Sequence, residues 1–144
     1  MGVSTDAILA FGFDLGLEDE PPAFLQQEGE DAPSLDFEEF IQQEAGIQYP
    51  HGFGYGTPEY DAYYQAKKAA IEACPVDLIM HCSHEYPMYF LAVRGTESKA
   101  YRGSPTKVEA APIEPAQVQA MREWCGAHGI EWQEPAWHIF SMWG

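Results

Sequence analysis

Positive charge is missing from nearly half of the chain: no lysine or arginine precedes Lys67, and only seven occur in 144 residues. Against 23 aspartates and glutamates this leaves a formal net charge of −16. A surface this negative repels phosphate backbones and anionic lipid heads, so direct nucleic-acid and membrane-surface binding are excluded. Apolar runs of the ~20 residues that a membrane span needs are also missing, and the first residues lack the basic start of a secretory signal. A soluble protein of the cytoplasm is the expectation. Three cysteines, Cys74, Cys82 and Cys125, cannot all pair with one another and match no disulfide framework, which suits a reducing compartment. Phosphate loops, dinucleotide fingerprints, serine elbows and alternating calcium-loop acids do not occur, and no cofactor is implied. These absences argue against an enzyme.

What is present is enough apolar material for one core. Hydrophobic residues make up 46% and aromatics 14% of the sequence, above the level at which chain entropy keeps polar sequences unfolded. The length fits a single domain over residues 1–144. Within it the charge is uneven. Fourteen acids and no basic residue lie between Met1 and Ala66, whereas the remainder balances nine acids against all seven bases. Mutual repulsion at that density opposes folding. A solvated acidic loop explains the excess, and so does a surface made to meet a basic partner.

Periodicity orders the elements. Leu9, Phe11, Phe13 and Leu15 alternate on one face of a strand over residues 7–15. Prolines, glycine and six acids make residues 16–33 an acidic loop around a short Ala23, Phe24, Leu25 patch. Ser34 is placed to cap a helix carrying Phe37, Phe40 and Ile41 inward, and Gly46 to end it. Thr57 followed by Pro58 starts a second helix that stops after Cys74 at Pro75. Two apolar runs, 76–83 and 88–94, flank a turn at 84–87 and form a hairpin. Residues 95–112, which together with the adjoining Arg94 hold four of the seven basic groups, form a surface connection. A third helix spans residues 115–128 with Val118, Met121 and Cys125 inward and Gly129 then Ile130 as its stop, and residues 137–143 make a last strand. This order predicts an α+β two-layer sandwich, a mostly antiparallel sheet of about four strands packed against three helices.

Two clusters invite chemistry. Cys82 and His84, with Cys74 as a third donor, carry zinc-type ligands, but on a strand only Cys82 and His84 share a face while His81 points away. A buried cysteine beside turn histidines explains the same residues. Cys125 and His128, three apart on a helix, would let an imidazolium stabilise a thiolate; a core cysteine and a helix-end histidine fit equally. Outside these, Tyr49, Phe53, Tyr55, Tyr60, Tyr63 and Tyr64 crowd beside the acidic half, and tyrosines supply contact area at low entropic cost.

The start Met1, Gly2, Val3, Ser4, Thr5, Asp6, Ala7, the stretches 73–77 and 129–135, and the end Ser141, Met142, Trp143, Gly144 resemble a family of small uncharacterised proteins of tailed phages and prophages. The resemblance covers most of the chain except the acidic loop. It implies a phage origin and no catalytic motif. Small acidic phage proteins often block the nucleic-acid channel of a host or defence protein by placing carboxylates where phosphates sit. The sequence therefore predicts a non-enzymatic interaction protein with a basic host or defence partner. Its contacts would be Asp14, Glu18, Asp19, Glu20, Glu28, Glu30, Asp31, Asp36, Glu38 and Glu39, anchored by Tyr55 and Tyr60. Assembly through self-association, and a small Cys/His enzyme or ligand-binding domain, are the alternatives.

Overall fold

A computed structural model describes residues 5–16, 20–110 and 112–143. Its contacts divide into two compact units, one formed by Met1–Phe24 with Pro75–Gly144 and the other by Leu25–Cys74.

The first unit holds the sheet. Strand β1 (Thr5–Asp14) is followed, beyond the second unit, by β2 (Val76–Cys82), β3 (Pro87–Val93), β4 (Ser98–Tyr101), helix α3 (Pro115–Ala127) and β5 (Ala136–Trp143). The fold is α+β with a mostly antiparallel sheet, as the element order predicts, but with five strands rather than four. The additional strand is β4, which lies in the stretch expected to be a plain connection. Strand order is β3-β2-β5-β1-β4, and β3 also pairs with β1, so β1, β5, β2 and β3 form a closed ring of pairings.

Ring closure depends on β1 changing neighbours along one edge. Asp6–Leu9 pair with β4, while Gly12–Asp14 pair with β3. Between these stretches the Phe11 amide donates to Thr96 Oγ1 at 3.2 Å. A Cβ built on Gly12 would lie 1.9 Å from the Leu91 carbonyl oxygen, so only glycine permits the approach of the two backbones. On its other edge β1 runs antiparallel to β5 from Thr5↔Trp143 to Gly12↔Ala136.

Alternation sorts the side chains. Ile8, Ala10, Ile79, Phe90 and Ala92 form a buried cluster, with Phe140 and Met142 packed on it. The Phe90 and Phe140 rings lie 4.6 Å apart. Full burial of such side chains contributes roughly 1.5–3 kcal/mol each. Helix α3 lies against β3 and buries Met121 and Cys125. Its end follows the pattern predicted from Gly129: that glycine has φ 68° and the Ile130 amide donates to the Cys125 carbonyl, a Schellman closure. A 3-10 turn at Ala23–Leu25 interrupts the acidic loop. Phe24 meets Trp124 edge-on at 5.5 Å within this unit.

The second unit is two helices and their connections. Helix α1 spans Phe37–Glu44, capped by Asp36 rather than Ser34. The reason is reciprocal: Asp36 Oδ1 accepts from the Glu39 amide at 2.7 Å and Glu39 Oε2 accepts from the Asp36 amide at 3.2 Å. Ser34 has Phe37 three residues on and cannot form that box. Gly46 (φ 70°) ends the helix as expected, its amide bonding Gln43 while Ile47 bonds Gln42. Helix α2 spans Pro58–Ala73 with Thr57 as its cap, and buries none of its residues. The Tyr63 hydroxyl donates to Gln42 Oε1 and Lys67 pairs with Glu38 at 3.6 Å, tying α2 to α1.

Candidate functional site

The second unit carries ten acids and two lysines in 50 residues. The sequence-predicted contact residues meet different fates. Glu28, Glu30 and Asp31 are exposed in the segment before α1. Asp36 and Glu39 cap α1, and Glu38 holds Lys67. Asp14 and Glu20 belong to the first unit, and Glu18 and Asp19 lie outside the described residues. Basic residues of the first unit are engaged near home: Arg94 with Asp77 at 3.1 Å, Lys99 with Glu97 at 3.4 Å and Lys107 with Glu109 at 3.7 Å.

Aromatic rings are what the second unit gathers. Tyr60 and Tyr63, three apart on α2, share a helix face and lie 6.0 Å apart. The loop before α2 folds back along them. Tyr49 meets Tyr63 at 5.3 Å, Tyr55 meets Tyr60 at 5.7 Å, and His51 meets Tyr49 at 5.3 Å, all edge-to-face. The result is an unbroken run of five rings, in the order His51, Tyr49, Tyr63, Tyr60, Tyr55. Tyr55 is 92% exposed and Tyr49 52%. Glycines at 52 and 56 with φ of 88° and 87° allow the consecutive turns, and Thr57 pins the loop through its hydroxyl to the Gly54 carbonyl at 2.8 Å.

The metal reading fails on geometry. Strand β2 ends at Cys82, whose backbone is left-handed (φ 71°), and His84 is exposed in the following turn, so the two do not share a strand face. Cys74 is buried at the C-cap of α2. Among the described residues no three His, Cys, Asp or Glu come together as metal ligands. The Cys125 and His128 pairing is likewise corrected. Burial pushes the fully enclosed Cys125 thiol up to about 11, the reverse of thiolate activation. His128 instead stacks on Trp124 at 4.0 Å with Nδ1 2.7 Å from the Trp124 carbonyl.

Two features of the first unit were not anticipated. His81 is buried with Nε2 3.2 Å from Asp14 Oδ1, its ring 4.8 Å from Phe140. Sixty-seven residues separate the partners, and no local pattern announces such a pair. The other is the outer face of β1 and β5, where Phe11 meets Trp137 at 5.5 Å and Ile139 stands 81% exposed. Its signal was readable in Trp137, Ile139 and Trp143 alternating with Phe140 and Met142, which pack on the core.

Compared with known proteins, the chain matches no family model, no curated protein and no solved structure.

Proposed function

We propose that this is a non-enzymatic interaction protein whose acidic second unit docks on a basic surface of a partner protein. The observation that carries the reading is the combination, in one 50-residue unit, of ten acids against two lysines with a run of mutually braced tyrosines whose Tyr49 and Tyr55 are exposed. Carboxylates supply steering and orientation, and the rings supply contact area. A nucleic-acid channel is the kind of surface that selects such a charge pattern, and the resemblance to phage proteins makes a host or defence protein the fitting partner.

Of the sequence-predicted contact carboxylates in this unit, Glu28, Glu30 and Asp31 remain available, because Asp36 and Glu39 are committed to the α1 cap and Glu38 to Lys67. A protein captured from host lysate on the immobilised chain should elute as salt rises, be displaced by duplex DNA, and escape capture by a variant with Glu28, Glu30 and Asp31 changed to lysine. Retention that ignores both salt and DNA would defeat the mimic mechanism.

A second reading, assembly through self-association, is favoured by one observation: Trp137, Ile139 and Trp143 leave an apolar strip on the outer face of β5. Sedimentation of a monomer at every concentration would remove it.

A further inference from the structure

Resting on the docking role just proposed, the geometry points to the chemistry of the partner: we infer that the tyrosine run binds an extended, arginine-bearing segment of a protein. The rings are held before any ligand arrives. Tyr63 is fixed through its hydroxyl to Gln42, Tyr49 and Tyr60 lean on Tyr63, and the loop carrying Tyr49 and Tyr55 is closed by the Thr57 hydroxyl. Little side-chain entropy remains to be lost on binding.

Ring and charge chemistry then select the occupant. A tyrosine face carries the negative lobe of its quadrupole and attracts a cation placed over it. Exposed Glu59 and Asp61 flank Tyr60 in sequence, and of the unit's two lysines Lys67 is paired with Glu38. Arginine suits this surface better than lysine, because its planar guanidinium is more weakly hydrated, stacks on aromatic rings and bonds a carboxylate through two donors. Nucleobases stack on tyrosine equally well, but their phosphates would meet the excess of eight negative charges on this unit. The rings meet in succession, each touching the next, which fits an extended chain presenting successive side chains.

The test uses the full chain titrated with a short peptide of alternating arginine and proline, its lysine-for-arginine counterpart, and single-stranded oligothymidylate. The arginine peptide should bind, move the ring resonances of Tyr49, Tyr55 and Tyr60, and bind more tightly than the lysine peptide. Tyr55→Ala, at a fully accessible position that no core depends on, should weaken it by about 2- to 30-fold, whereas Tyr55→Phe should retain most of the affinity. Equal affinity for the two peptides, an unaffected Tyr55→Ala, no binding of the arginine peptide, or preference for the oligonucleotide would each overturn the assignment. The underlying docking role is read separately. If the arginine peptide binds independently of salt and of lysines at 28, 30 and 31, the carboxylate mechanism fails while the tyrosine site stands; if salt and charge reversal matter but ring substitutions do not, the reverse holds.

Discussion

The two units of this chain are built by opposite means. The first buries Ile8, Ala10, Phe90, Leu91, Val93 and Met121 almost completely, and its strands are locked by long-range registers. In the second, α2 buries nothing along sixteen residues. Beyond the buried Leu25, Phe40, Ile41 and Cys74, order there comes from a capping box, a Schellman closure, one tyrosine hydroxyl bond, one ion pair and a run of edge-to-face rings. Each such device is worth about 0.5–1.5 kcal/mol, less than one buried phenylalanine. Segments held this way belong to the low-stability end of a protein, where binding surfaces are commonly found. The contrast teaches that the rings of the second unit serve twice: they brace one another, and Tyr49 and Tyr55 still stand open to solvent.

The strongest attempt to break this contrast is Phe90→Ala, which should cost the sheet unit about 3–5 kcal/mol in urea unfolding. All four tryptophans (124, 132, 137 and 143) lie in that unit, so their fluorescence reports it alone. Amide exchange in α2 should already be faster than in β1 and β3 in the wild type, and exchange at a common rate would erase the distinction. Gly12→Ala comes next, at about 1–3 kcal/mol, because the new methyl meets the Leu91 carbonyl and neither strand can yield.

A pH titration sharpens the comparison from the side of the core. Cys125 holds its proton more tightly when folded than when unfolded, its thiol rising from 9.0 to about 11. Stability therefore declines as pH climbs above 9, where only the unfolded chain ionises, and the decline ends near 11. Cys125→Ser in parallel should reduce that slope, leaving the part that Tyr89, also raised by burial, contributes, and iodoacetamide should label the native thiol slowly at neutral pH. The smallest effect is Asp36→Ala, about 1 kcal/mol from loss of the cap. It should appear as faster exchange at the α1 amides, with tryptophan fluorescence unmoved.

Elements governed by neighbours in sequence were legible. Thr57 with Pro58, the Gly46 and Gly129 stops, and the hairpin across residues 83–86 all follow from chemistry within a few residues. The start of α1 was displaced by two residues because Ser34 and Asp36 are both competent caps, and only Glu39 decides between them. Strand β4 escaped notice for a different reason. Ser98, Lys99, Ala100 and Tyr101 show no apolar alternation, and they are extended because β1 offers an open edge there. Of the site, the tyrosines were visible as a cluster of letters, but their contact order requires the loop to double back on α2. The commitment of Asp36 and Glu39 to a cap and of Asp14 to His81 depended on geometry that charge counting cannot see.

Because Thr5 pairs with Trp143 while the 25–74 segment is inserted between β1 and β2, a growing polypeptide presents its first strand long before that strand's principal partner is made. During synthesis β1 waits as an unsatisfied apolar ribbon, and the ring of strands cannot close until β5 leaves the ribosome. The helical insert, a compact unit contained within residues 25–74, is free to form in the interval. It would emerge as the earliest ordered piece of the molecule, with its acid excess keeping nascent chains apart while the sheet is still incomplete.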